Sequence, residues 1–325
     1  MIKKRLFIGS SAEKLTILNQ VVSLVGDNAI CIPWTNAFAI NKSALDSLIK
    51  QTRLSDYAIL IATKDDLTKR RGNKVSTPRD NVVLEFGLFL GATSPDRCYL
   101  LAEEGADLPS DLNGINVCKF TLKADKYNSL DKVVSEINLE LQKDLGVGEL
   151  GLLPSTALAI GYFNGFIKKV CTDVSKSRCI AIDDKKVKVK SLNINVVIPE
   201  DLDDDGVENF IDLFNDHHKL TKATTYVDKS KGDNRRGYPF HFKVESSNID
   251  FDSELDVQIS DIPNTIGTIV DALKLYMPSK SVRADEDREF LEKRELANFA
   301  KVLNHLISKN SYTRNTVTVE VDVKI

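Results

Sequence analysis

Over the first 145 residues, short apolar runs alternate with stretches in which apolar residues recur every three or four positions. The runs RLFIGS (5–10), AICIPW (29–34), YAILIAT (57–63), RCYLLA (97–102) and VCKFTL (117–122) have the length and composition of strands. Between them the spacing predicts helices from about Ala12, over 43–54, over 78–91 and from about Leu130. This alternation predicts a doubly wound α/β domain with a parallel, flavodoxin-like sheet. Such sheets bind ligands beyond the carboxyl ends of their strands. Gly9, Ser10, Ser11 and Glu13 lie there after the first run, Trp34 and Thr35 after the second, and Thr63, Asp65 and Asp66 after the third.

The pattern breaks at GVGELGLLP (146–154), where glycines and a proline end a helix. This divides the chain into a domain of residues 1–150 and a second of 151–325. The second opens on the apolar helix PSTALAIGYFNGFIKKVC, followed by strands near 187–198, a helix near 207–219, strands flanking KSKGDNRRGYPF, and a strand near 255–260. Helices near 263–276 and 285–309 and a final strand in NTVTVEVDVKI complete it. That order predicts an α+β domain with a mostly antiparallel sheet.

One position disturbs the hydrophobic pattern of the first domain. In PRDNVVLEFGLFLG (78–91) a single glutamate, Glu85, shares its helix face with Val82, Leu88 and Phe89. An ionised carboxylate in apolar surroundings is costly unless paired, and one kept in a cleft often serves chemistry. Two readings follow from the sequence: a reactive carboxylate, or an ion pair with nearby Arg79. Arg79, Asp80 and Asn81 are also candidates for capping this helix.

Composition narrows the classes. With 42% hydrophobic and 28% charged residues and a net charge of −3, the chain reads as an ordinary soluble protein with no general attraction to a nucleic acid polymer or a membrane. There is no long apolar span or leader pattern, so a cytoplasmic location is expected. The five cysteines form no CxxC pair, and the only close histidines, His217 and His218, are adjacent, so neither a disulfide framework nor a metal site is expected. FIGSSAE lacks the GxGxxG of redox dinucleotide domains, which argues against hydride transfer. A crevice with small hydroxyls, one aromatic ring and a lone carboxylate suits cleavage of an N-glycosidic bond, whose transition state resembles an oxocarbenium ion.

FIGSSAE, IPWT, SDYAILIATKDD and above all PRDNVVLEFGLF resemble the TIR-like domain of bacterial antiphage effectors, over residues 4–145. The resemblance implies an NAD glycohydrolase with Glu85 as its catalytic residue. NAD would be the substrate, and no cofactor is implied. Phe7, Ser10, Ser11, Trp34 and Asp65 are then candidate substrate contacts, with Phe7 better suited to the core. Similar strand ends occur in nucleoside deoxyribosyltransferase-like enzymes. A TIR-like adaptor without turnover is the rival class.

The helix LAIGYFNGF, the basic loop KSKGDNRRGYPF and the turn DIPNTI resemble the prokaryotic STING domain, over residues 154–325. On the helix, Ala157, Gly161 and Asn164 form one strip of small residues, and core packing is the ordinary role for Tyr162 and Phe166. The loop's Lys229, Lys231, Arg235 and Arg236 suit either a solvated turn or an anion site. The resemblance implies a homodimer that binds a cyclic dinucleotide and assembles into filaments. It places Phe163 as the stacking residue, Arg235 on a lid and Asp261 at a base edge. A carboxylate there favours cyclic di-GMP, because guanine N1 and N2 are donors.

Overall fold

The computed structural model describes residues 3–37, 43–70, 72–112, 115–122, 129–143, 154–200, 206–226, 240–245, 253–276 and 284–324. It forms two compact units, Met1–Leu145 and Gly146–Ile325.

The first unit runs β1 (Arg5–Ser10), α1 (Leu15–Val25), β2 (Ile30–Pro33), α2 (Trp34–Ala37), α3 (Ala44–Leu54), β3 (Tyr57–Ala62), β4 (Asp66–Arg70), β5 (Asn73–Thr77), α4 (Asp80–Thr93), β6 (Cys98–Glu103), β7 (Val117–Phe120) and α5 (Leu130–Gln142). Five strands form a parallel sheet in the order β2-β1-β3-β6-β7. The order reverses at β1, which is where a doubly wound sheet opens a crevice.

The strands at the centre of this sheet are apolar at successive positions because both faces are covered. Leu6, Ile8, Tyr57, Ile59, Ile61, Tyr99 and Leu101 pack with Ile17, Leu18, Val21 and Val25 of α1 and Leu130, Val134, Ile137 and Leu141 of α5. The alternate residues Phe7, Ala58, Leu60, Ala62, Cys98 and Leu100 pack with Leu48 of α3 and Val82, Phe86 and Phe89 of α4. The alanines on this second face leave room for the rings of α4, and Phe7 stacks on Phe89 with ring centroids 4.5 Å apart. Phe7 is therefore a core residue beneath the crevice.

The sequence pattern places no element at 66–77, yet β4 and β5 pair there as an antiparallel hairpin. DLTKR and NKVST are too polar to register as strands. The hairpin brings the chain back to α4, whose preceding residue, Arg79, has extended backbone and makes no side-chain cap bond. Asp80 lies in the first turn of that helix, where a negative charge complements the helix dipole.

The second unit runs α6 (Pro154–Tyr162), a five-residue π-turn (Phe163–Ile167), α7 (Lys168–Ser177), β8 (Cys179–Ile182), β9 (Lys185–Pro199), α8 (Gly206–His218), β10 (Leu220–Thr225), β11 (His241–Glu245), β12 (Glu254–Asp261), α9 (Thr265–Tyr276), α10 (Ala284–Lys309) and β13 (Val317–Val323). The pairs β8–β9, β8–β10, β10–β11 and β11–β12 are antiparallel, as expected. Strand β9 departs from that pattern and pairs in parallel with both β12 and β13. Its carboxyl half explains why: Val196, Val197 and Ile198 are buried in succession, the signature of a strand covered on both faces.

Removing the ring of Phe89 would leave the Phe7 stack without a partner in a fully buried layer. Phe89→Ala is expected to destabilise the first unit by about 3–5 kcal/mol, measured by denaturant unfolding of the full chain.

Candidate functional site

The crevice begins with a glycine. Gly9 is the fifth residue of β1 and points to the α4 face; a Cβ on it would lie 2.5 Å from Leu60 Cδ1, 2.9 Å from Glu85 Oε2 and 3.1 Å from Phe7 Cε1. The Glu85 carboxylate is therefore laid directly over the backbone of β1 near its carboxyl end. No larger residue at position 9 would fit without displacing it.

Of the two readings of Glu85, the geometry excludes the ion pair with Arg79. Arg79 Nη2 lies 2.7 Å from Glu13 Oε1 and its Nε lies 3.3 Å from Asp66 Oδ2. The guanidinium thus straps the segment after β1 to the start of the β4–β5 hairpin. Glu85 Oε2 is buried and has no hydrogen-bond partner among the described residues. Burial alone pushes the carboxyl up to about 7 from its ordinary range.

The other expected crevice residues occupy the ends of the neighbouring strands. The Ser10 hydroxyl donates to the Ser11 carbonyl at 3.0 Å and accepts the Trp34 indole N–H at 3.3 Å. This fixes the ring of the half-buried Trp34, the first residue of α2. The Ser11 hydroxyl is buried and unpartnered. Beyond β3, Thr63 donates to Asp65 Oδ1 at 2.7 Å, while the Asp65 amide donates to the carbonyls of Thr63 and Thr77. Asp65 Oδ2 is likewise buried without a partner. Three oxygens at the carboxyl ends of adjacent parallel strands and on α4 thus lack a partner among the described residues, the condition that bound ligands and solvent normally relieve. Among the described residues no cluster of three or more histidines, cysteines and carboxylates is arranged to hold a metal ion.

In the second unit the aromatic helix carries a different arrangement. Pro154–Tyr162 is α-helical, and the chain then widens into the π-turn, closed by Lys168 N–H donating to the Phe163 carbonyl. Ala157, Ile160, Gly161, Asn164 and Gly165 are exposed along one strip, so the small-residue strip expected from the sequence lies on the surface. Phe163 is turned the other way and is only 4% exposed. The half-buried ring of the turn is Phe166, which sits 5.7 Å from the Tyr162 ring and 6.3 Å edge-on from Phe240. Phe240 is the last residue of the basic segment KSKGDNRRGYPF. Arg235 and its basic neighbours at 229, 231 and 236 lie outside the described residues.

Asp261, the last residue of β12, accepts a short hydrogen bond from the Tyr162 hydroxyl. Burial pushes its carboxyl up to about 6, against the opposing effect of that bond. The sequence signalled Tyr162 only as packing, because a buried phenol and a buried phenylalanine are indistinguishable in a helix pattern.

Two family descriptions match the chain: the TIR domain of CAP12/Pycsar effector proteins over residues 5–122, and the prokaryotic STING domain over residues 154–304. Fold and matches together define a TIR–STING effector, as the sequence motifs implied. A CD-NTase-associated protein 12 from Sphingobacterium faecium is 58% identical, covering 99% of this chain and all of that one. Another from Flavobacterium daejeonense is 37% identical, covering 98% of each. The chain belongs to the CD-NTase-associated protein 12 family. A solved structure of bacterial STING in complex with c-di-GMP covers 54% of this chain and 99% of its own, at 28% identity and a TM-score of 0.44. No helix among the described residues is long and apolar enough to cross a membrane.

The raised Glu85 carboxyl has a consequence for stability. Its folded pKa lies above the unfolded value, so the native state holds the proton more tightly and loses stability as pH rises from the ordinary carboxylate range through about 7. Glu85→Gln should therefore be more stable than the parent chain at about pH 8, by roughly 1–2 kcal/mol after allowing for partial exposure, and should show little advantage near pH 4.5. Melting curves of both proteins at the two pH values check this.

Proposed function

We propose that the chain is a cyclic dinucleotide-activated NAD+ hydrolase, converting NAD+ to nicotinamide and ADP-ribose as an effector of antiphage defence in the cytoplasm. The observation that carries this reading is the Glu85 carboxylate above Gly9 at the sheet's switch point, whose Oε2 has no partner among the described residues. The nicotinamide nitrogen of NAD+ is already cationic, so the bond to the ribose C1′ breaks with its electron pair returning to the ring. Nicotinamide then leaves neutral, without a general acid. Positive charge develops on C1′ and the ring oxygen, and a carboxylate in a site of low dielectric stabilises it more strongly than water would. Water adds to C1′ and releases one proton. Trp34, held by Ser10, offers a ring surface, and the unsatisfied Ser11 and Asp65 oxygens offer polar contacts to the substrate.

The second domain supplies the control. Two protomers bind one cyclic dinucleotide between them, and the closed dimers stack into filaments that bring TIR domains together. Asp261 accepts hydrogen bonds from guanine N1 and N2, which selects cyclic di-GMP. The base stacks on Phe166 in place of Phe163, because Phe166 is the more exposed of the two and its ring lies edge-on to Phe240 at the end of the segment that carries Arg235.

Glu85 acts as the anion, so turnover should rise as pH increases through about 7, the value to which burial moves the group. In the full chain titrated with cyclic di-GMP, Glu85→Gln is expected to lower NAD+ consumption on the order of 10²-fold or more. An undiminished rate would make Glu85 structural, and no cleavage by the parent chain with any cyclic dinucleotide would leave a TIR adaptor. Calorimetric titration separates the aromatic residues: Phe166→Ala should weaken cyclic di-GMP about tenfold or more. Phe163→Ala should chiefly lower the melting temperature.

A further inference from the structure

We infer that Tyr162 is the positioning residue for base selection: its hydroxyl fixes the Asp261 carboxylate in the orientation that accepts a guanine edge. This rests on the reading of Asp261 as the base contact and adds a residue to it.

The geometry is specific. Tyr162 ends α6 and is 8% exposed, with its ring held 5.7 Å from Phe166 and 6.1 Å from Phe299. A phenol so confined has one direction in which to donate, and it donates to Asp261 Oδ2. On the other side, Asp261 is followed by the buried Ile262 and Pro263, which hold its backbone. The rotation of the carboxyl group about its own bond remains, and the tyrosine hydrogen bond is what stops it. An aspartate oxygen has two lone pairs, so Oδ2 can serve both Tyr162 and a base while Oδ1 serves the base alone.

Guanine presents two donors side by side, N1–H and N2–H, and a coplanar carboxylate presents two matching acceptors. Adenine presents an acceptor at N1 and a donor at N6, which a neutral carboxylic acid matches and a carboxylate does not. Tyr162 favours the guanine partner through orientation and through charge. Its hydrogen bond opposes the upward push that burial exerts on the Asp261 carboxyl. Without the hydroxyl, the buried group turns more freely and keeps its proton more readily.

The test is calorimetric titration of the full chain with cyclic di-GMP and cyclic di-AMP, using the parent, Tyr162→Phe and Asp261→Asn. Phenylalanine preserves every ring contact, so the variant removes one hydroxyl and little else. Tyr162→Phe is expected to lower the ratio of guanine to adenine affinity about tenfold or more, the scale on which a lost buried hydrogen bond to a charged group acts. Asp261→Asn should lower the same ratio, since an amide offers one donor and one acceptor. If Asp261→Asn shifts the ratio while Tyr162→Phe leaves it unchanged or weakens both ligands equally, the role of Tyr162 is overturned. If Asp261→Asn leaves the ratio at the parent value, Asp261 is not the base contact, and the underlying reading fails separately.

Discussion

The first domain is organised around a carboxylate that no described residue neutralises. Glu85 sits on a helix whose neighbouring side chains Val82, Phe86 and Phe89 are buried in the core, and the space for its oxygens exists because β1 has no side chain at Gly9. The nearby guanidinium that could have neutralised it is occupied with Glu13 and Asp66. Apolar packing from Leu60 and Phe7 closes in on the same point, so the group is held where its charge is unfavourable in the resting protein. Such a site gains most from a ligand that becomes positive in the course of reaction.

The second domain treats a buried carboxylate in the opposite manner. Asp261 is tethered by a phenol and held by an ordered backbone. The two residues illustrate two uses of the same functional group. On the proposed reading, the uncompensated acid responds to charge that appears during a reaction, whereas the tethered one reads the pattern of donors on a stable ligand. One hydrogen bond distinguishes their surroundings.

How much of this was legible in the sequence depended on how strongly each element was written in apolar residues. The five-stranded sheet and its helices were readable because YAILIA and CYLLAE are continuous apolar runs. The β4–β5 hairpin was not, because DLTKR and NKVST look like a loop until their backbone pairing is known. The parallel pairing of β9 was hidden as well, since its partners lie far along the chain and no local pattern names them. Glu85 stood out as one charge in an apolar helix, but only coordinates could say that Arg79 turns elsewhere. The orientation of the aromatic residues could not be read at all: the wide turn after Tyr162 leaves Phe163 buried and Phe166 half-buried, a rotation that uniform helical spacing does not reveal.

The pairing of β9 with β13 also sets an order of events during synthesis. The amino-terminal sheet and its helices are complete by residue 142, whereas β9 waits for a strand at 317–323 before its edge is covered. Domains fold as units, amino-terminal first, and distant strand pairings form late. A ribosome making this protein therefore carries a finished TIR fold long before the STING half exists. On the proposed reading that interval is harmless only because a solitary TIR fold is inert, which locates restraint in the unassembled state.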